Sequence, residues 1–149
     1  MGGIAMLCCP YAPNLYNDIN HKRDKFMVEI GTDFSGCGAF EQALERLKMP
    51  HKVLFACDID PYARQTYLRN YPHPIDFPKD VYDRKIPTNP LDIYVSSPPC
   101  QSFSLAGKRG GEDDKRGILF YNSLEFITKN KPRFFIFENV KGLLSDDKG

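Results

Sequence analysis

Two consecutive prolines, Pro98 and Pro99, stand just after the apolar run Leu91-Asp92-Ile93-Tyr94-Val95. Each has a fixed φ and no backbone N–H, so a strand built on that run cannot continue past them. A buried strand cut off by a stiff turn belongs to an open α/β sheet, where chemistry gathers at the carboxyl ends of the strands. The residue on that turn is Cys100, within Ser97-Pro98-Pro99-Cys100-Gln101-Ser102-Phe103-Ser104. Two readings fit it locally. Cys100 is a nucleophile presented on a rigid loop, or a structural thiol, since free cysteines are among the most buried residues.

The rest of the chain supports the sheet. Phe26-Met27-Val28-Glu29-Ile30 begins a first strand running to about Phe34, and Val53 to Cys57 reads as a second. Between them, apolar residues at 40, 43, 44 and 47 follow the i, i+3, i+4, i+7 stripe of an amphipathic helix. Pro61 suits the first turn of a second helix reaching about Asn70. A short extended piece is expected near Lys79-Asp80-Val81, then the Leu91–Val95 strand, then a helix from Ile118 that Asn130 and Pro132 end. Phe134 to Phe137 is the last strand. Strands separated by single helices predict βαβ units and a mostly parallel sheet.

Residues 1–25 read as an irregular lead-in broken by Pro10, Pro13, Asn14, Asn17 and Asn20, with residues 26–149 forming the folded lobe. Phe134–Phe137 is apolar on both faces, as in the middle of a parallel sheet, yet only twelve residues follow it. Either an earlier part of the chain covers its outer edge, or the sheet is completed by another chain or a missing segment. The second is the favoured expectation, because natural proteins avoid greasy open edges.

Composition narrows the function class. At 149 residues the chain makes one domain, and no apolar run approaches the ~20 residues that span a membrane. The N-terminus has no basic segment of a signal peptide, and Met6 stands where myristoylation needs Ser or Thr. Five cysteines, an odd number with no CxxC pair, fit reduced thiols in a cytoplasmic protein and no metal site. A formal charge of +1 neither requires nor excludes nucleic acid. Lys108-Arg109 and Lys115-Arg116, bracketing Gly110-Gly111-Glu112-Asp113-Asp114, suit a solvated loop or one that approaches phosphates.

Three further segments point to a ligand. Asp33-Phe34-Ser35-Gly36-Cys37-Gly38-Ala39-Phe40 is a strand, a glycine turn and a helix start, which lets backbone approach a ligand closely. It lacks the third glycine of the dinucleotide fingerprint, so NAD is disfavoured. Asp58 and Asp60 follow about 20 residues later at the end of the second strand, where an acid can accept bonds from ribose hydroxyls. Asp60 suits an N-cap for the helix at Pro61, and Asp58 does not. Glu138 ends the last strand beside the cysteine strand. His21, His51 and His73 lie in loop or flanking segments, which argues against a Cys–His hydrolase. Cysteine with glutamate suits attack on an electron-poor ring whose nitrogen the acid steadies.

Phe34-Ser35-Gly36-Cys37-Gly38, Pro99-Cys100-Gln101 and Glu138-Asn139-Val140, in this order and spacing, closely resemble the cytosine-5 DNA methyltransferases. Gly107-Lys108-Arg109 and Arg116-Gly117-Ile118-Leu119-Phe120 resemble them too, and the likeness covers about residues 26–144. It implies an α/β, Rossmann-like S-adenosylmethionine-dependent methyltransferase fold, incomplete at its C-terminal side. S-adenosylmethionine would sit on Phe34, Ser35, Gly36, Cys37 and Gly38, with Asp58 on the ribose and Ile59 against the adenine. Asp80 and Val81 would lie near the adenine amino group, and Pro98 and Leu119 would line the pocket. Cys100 and Glu138 are the implied catalytic pair, acting on a cytosine flipped from double-stranded DNA. Pro99, Gln101, Ser102, Ser104, Lys108, Arg109, Asn139 and Val140 are the implied substrate contacts, with the 102–117 loop closing over the DNA.

Two departures accompany the likeness. Ala39 stands where the family often has glycine, and the family's Gln-x-Arg-x-Arg element, target-recognition domain and last cofactor-wall motif are absent. A C-terminal partner chain or segment is therefore expected to carry recognition. The alternatives are a non-catalytic cofactor-binding remnant and the tRNA-methylating branch of the same family.

Overall fold

The computed structural model describes residues 3–8, 27–72, 74–99 and 117–139, the first six as backbone only. Eight elements follow in order: β1 (Gly3–Cys8), β2 (Val28–Asp33), α1 (Ala39–Arg46), β3 (His51–Cys57), α2 (Pro61–Asn70), β4 (Ile93–Ser96), α3 (Gly117–Asn130) and β5 (Phe134–Asn139). They form one sheet in the order β1-β5-β4-β2-β3. β5, β4, β2 and β3 run parallel and β1 runs antiparallel on β5.

Strict alternation along β2 assigns its two faces. Val28 and Ile30 pack with Leu44 of α1, and Phe40, Met49, Val53 and Ile93 close around them. On the opposite face Phe55, Leu91, Tyr94 and Phe126 form a second cluster against α3. The clusters would be mismatched without an irregularity in β3. Ile30 pairs with Val53 but Gly31 pairs with Phe55, so Leu54 is an extra residue that reverses the facing of the strand beyond it. Val53 then serves the α1 side and Phe55 the α3 side. Phe55 lies so close over β2 that a Cβ on Gly31 would sit 2.3 Å from its ring.

Polar side chains join the layers where apolar contact stops. Glu41 of α1 is fully buried, and its Oε1 accepts from Thr32 Oγ1 (2.9 Å) and Tyr67 Oη (2.8 Å). One carboxylate thus links β2, α1 and α2. At the end of α3, buried Asn130 accepts from the Leu91 N–H (2.9 Å) and donates to the carbonyls of Pro87 and Asn89 (3.0 Å each). It stops the helix and pins the segment that leads into β4.

Three expectations change. The lead-in is not irregular throughout, since residues 3–8 form β1; residues 9–26 lie outside the described part. β1 pairs along β5 from Gly3↔Asn139 to Cys8↔Phe134, so the chain itself covers the edge that was expected to need another chain or segment. Covering it from inside the chain satisfies the N–H and C=O groups of an apolar strand. Lys79-Asp80-Val81 is a turn rather than an extended piece; the edge of β3 is met earlier, by a single bridge from Phe55 to Asp76. A carboxylate accounts for this, because Asp80 Oδ1 accepts from the Tyr82 N–H (3.0 Å) and curls the chain.

Gly31→Ala is expected to destabilise the fold by about 2–3 kcal/mol through overpacking against Phe55. Urea denaturation checks this; a loss under ~0.5 kcal/mol, the range of neutral surface changes, would contradict the packing described.

Candidate cofactor site

The chain leaves β2 for β3 on one side and returns to β4 on the other, so the strand order reverses between the parallel strands β2 and β4. The carboxyl ends of those strands border the crevice where open α/β sheets bind ligands. Ser97 at the end of β4 donates its N–H to the Asp33 carbonyl (3.4 Å), holding the two ends together.

The turn after β2 is built by backbone geometry. Phe34 (φ 56°), Gly36 (φ 55°) and Gly38 (φ 88°) all occupy the left-handed region, a cost for Phe34 that glycine avoids. Gly38 also admits the Tyr71 ring, which would lie 2.4 Å from a Cβ there. Around Gly36 no atom of the described residues lies within 4 Å of such a Cβ. The Gly36 N–H donates to Asp58 Oδ2 (2.7 Å), while Asp58 Oδ1 accepts from the Asp60 N–H (2.9 Å). Asp58 therefore fastens the glycine turn to the end of β3. Each carboxylate oxygen retains a further acceptor site. Asp60 is the N-cap of α2, accepting from the N–H groups of Tyr62 (2.7 Å) and Ala63 (2.8 Å).

An open cleft of about 370 Å³, partly continuous with solvent, lies at these strand ends. Phe34, Cys57, Asp58, Ile59, Lys79, Asp80, Val81, Tyr82 and Leu119 line it. Five positions singled out in the sequence for S-adenosylmethionine besides Phe34 thus converge there: Asp58, Ile59, Asp80, Val81 and Leu119. Ser35, Gly36, Cys37 and Gly38 belong to the adjoining turn, and Pro98 is buried at the end of β4 outside the lining. Tyr82, Lys79 and Cys57 are lining residues the sequence did not single out. Only Tyr82 had a signal, as an exposed aromatic two residues beyond Asp80.

S-adenosylmethionine fits this donor set. The Ser35 hydroxyl is buried with no partner among the described residues, at the turn that would meet a polar ligand. Asp58 can accept from ribose hydroxyls, and Ile59 is 73% exposed with an apolar face free to cover a base.

Under the cleft lies a buried charged cluster. The Asp33 carboxylate accepts from Arg84 Nη1 and from Tyr94 Oη (2.5 Å), and Arg84 Nη2 donates to Asn122 Oδ1 (3.1 Å). Arg84 is only 8% exposed, and its guanidinium lies over the Phe126 ring at 4.5 Å. Burial pushes the Asp33 carboxyl up to about 6, against the opposing pull of Arg84 and Tyr94. Burial, reinforced by the Asp33 charge, pushes the Cys57 thiol up to about 12, so Cys57 is no nucleophile at neutral pH.

On the other side of the crevice, Asn139 is buried and donates Nδ2 to the Pro98 carbonyl (3.2 Å), bracing the proline turn. Glu138 is exposed and falls on the face of β5 opposite Phe137 and Asn139. Pro99 is half-buried at the turn. Cys100, Gln101, Ser102, Ser104, Lys108, Arg109 and Val140 lie outside the described residues. No described helix is long and apolar enough to cross a membrane.

Asp33 has a folded pKa above its unfolded one, so its contribution to stability is fully present below about pH 4 and is lost as the pH rises through 6. The stability difference between wild type and Asp33→Asn is therefore expected to be more favourable to wild type at pH 4 than at pH 7, by on the order of 2–3 kcal/mol. Urea denaturation at both pH values reads it; a pH-independent difference would contradict it.

The family model for the C-5 cytosine-specific DNA methylases matches residues 32–149. The chain is 40% identical over 120 residues to the orphan methyltransferase M.Rho11sI of Bacillus phage rho11s, covering 78% of this chain and 24% of that protein. It is 40% identical over 131 residues to the type II methyltransferase M.HpaII of Haemophilus parainfluenzae, covering 85% of this chain and 35% of that one. The crystal structure of the Dnmt2 methyltransferase of S. pombe superimposes with a TM-score of 0.62 at 22% identity, over 80% of this chain and 36% of that chain. The chain thus spans about a quarter to a third of the length of these curated relatives. The fold is the α/β, Rossmann-like one of S-adenosylmethionine-dependent methyltransferases, and the methyl donor of the family is S-adenosylmethionine. On the strength of the match across 32–149, this chain belongs to the C-5 cytosine-specific DNA methylase family.

Proposed function

We propose that this chain is the cofactor-binding and catalytic lobe of a cytosine-5 DNA methyltransferase, working with further chain that carries target recognition. The observation that carries the reading is the Gly36–Asp58 bond, which joins the glycine turn and the strand-end acid at one cleft beside the proline turn. In this reading the 34–38 turn and Asp58 bind S-adenosylmethionine, with Ile59, Asp80, Val81 and Leu119 around its adenosine.

The target base must leave the duplex, because its ring is inaccessible in the stack. The Cys100 thiolate would then add to C6 of the cytosine, forming a C–S bond and making C5 nucleophilic. Glu138 would hold the N3 and amino edge so that the added electrons settle on a stabilised ring. Bound S-adenosylmethionine would supply the methyl group that C5 takes, its S–CH3 bond breaking to leave the neutral thioether S-adenosylhomocysteine. Loss of the C5 proton to solvent then expels the thiolate, breaking the C–S bond and restoring the aromatic ring. Pro98 and Pro99 would hold Cys100 rigidly, with Asn139 fixing the turn through the Pro98 carbonyl. Pro99, Gln101, Ser102, Ser104, Lys108, Arg109 and Val140 are the proposed substrate contacts on and beyond that turn.

Asp58→Ala, which removes the acceptor for the Gly36 N–H, is expected to weaken calorimetric binding of S-adenosylmethionine by about tenfold or more. Unchanged affinity would refute the assignment of the turn. For the chemistry, the chain is supplied with the C-terminal portion of a relative, labelled S-adenosylmethionine, and either duplex DNA or tRNA. Labelled 5-methylcytosine in DNA is expected, reduced roughly a thousandfold or more by Cys100→Ser. Labelling of tRNA alone would assign the chain to the RNA-methylating branch. Binding without transfer would make it a non-catalytic module.

A further inference from the structure

The least regular wall of the cleft is the segment 77–84, which carries Lys79, Asp80, Val81 and Tyr82. Among the described residues its backbone-to-backbone bonding is within the segment, the Asp83 N–H donating to the Asp80 carbonyl (3.0 Å). Pairing with the sheet edge stops at Asp76. Yet the buried Val81 holds one definite place in the lining.

Two guanidinium groups grip this segment, one at each end. Arg64, reaching from α2, donates Nη2 to the Phe77 carbonyl (2.8 Å) and Nη1 to the carbonyls of Pro78 (2.7 Å) and Asp58 (3.1 Å). Its plane covers the Phe77 ring at 4.0 Å. Arg84, closing the segment, bonds the Asp33 carboxylate just before Phe34, and Asn122 one helical turn beyond Leu119. Each group therefore ties the loop to a different part of the site: Arg64 to the Asp58 turn, Arg84 to the base of the glycine turn and to α3. A planar guanidinium presents its donors in one fixed geometry, whereas the three donors of a lysine rotate on a flexible stem.

We propose that Arg64 and Arg84 are positioning residues for the cofactor, a two-point frame that sets the spacing of the 79–82 loop from Asp58, Ile59 and the glycine turn. The inference rests on the reading of this cleft as the S-adenosylmethionine site. It assigns these arginines a role in affinity, where arginines within an Asp- and Lys-rich loop and on a polar helix would otherwise count only as packing.

The test is calorimetric titration of the full chain with S-adenosylmethionine, using wild type, Arg64→Lys, Arg84→Lys and the double variant, with Lys52→Met as a surface control. Stoichiometry reports the folded fraction, and Kd reports the geometry of the site. Each single variant is expected to raise Kd about tenfold with stoichiometry held near wild type, and the double variant to lose less than the product of the two, because both hold one loop. Lys52→Met should match wild type. Kd within about twofold of wild type in the single variants, whether or not stoichiometry or melting temperature falls, would overturn the frame while leaving the cleft assignment intact. No binding by wild type would overturn the cleft assignment and the frame together. Should Arg84→Lys not fold, Arg64→Lys decides alone, since its guanidinium contacts carbonyls at a partly exposed site.

Discussion

Asp33 and Arg84 meet at the carboxyl end of β2, with the carboxylate almost wholly buried and the guanidinium nearly so. Two charges removed from water are costly, and such a pair persists only where other groups complete its bonding. Tyr94 and Asn122 do so here, and the Phe126 ring fills the space beside the guanidinium. The pair therefore holds β2, β4, α3 and the segment before β4 in one arrangement. Removing Arg84 would strand the Asp33 carboxylate in an apolar setting, a loss of about 3–5 kcal/mol in comparable cases. The glycine turn begins one residue beyond Asp33, so the geometry of the cleft starts from this contact.

Much of the architecture was legible because it follows from period and punctuation. The stripe at 40, 43, 44 and 47 gave α1 to within a residue at each end, and Pro61 and Asn70 bound α2 as read. The double proline marked the end of β4. Asp60 as cap and Asp58 as something else followed from capping geometry alone. β1 was not legible: Gly3–Cys8 is a short apolar stretch before several turn-forming residues, and its partner lies some 130 residues away. Long-range pairing leaves no local period. The same holds for Arg84, one charge in a loop with Asp80, Asp83 and Lys85, whose burial depends on a hole between Asp33 and Phe126 that only the folded chain creates. Glu41 gave a faint sign, three residues before buried Leu44 on the margin of the apolar stripe.

The site divides in the same way. The family resemblance named Asp58, Ile59, Asp80, Val81 and Leu119, five residues from three separate segments that converge on one cleft. What holds those segments at working distance is a pair of side chains that motifs do not name, Arg64 and Arg84, which grip the loop from both ends. Residues that touch a ligand follow its chemistry and recur in recognisable strings. Residues that brace them answer to the local packing of one chain and are visible only in three dimensions.

The most direct measurement is a two-dimensional ¹⁵N–¹H spectrum of the chain recorded during addition of S-adenosylmethionine. If the cleft is the cofactor site, saturating shifts concentrate at Phe34–Gly38, Asp58–Ile59, Lys79–Tyr82 and Leu119, while amides at the far ends of the strands, such as Val28 and His51, stay still. Shifts confined to other surfaces, or none in a well-dispersed spectrum, would contradict the central claim that this lobe binds the methyl donor at the carboxyl ends of β2 and β3.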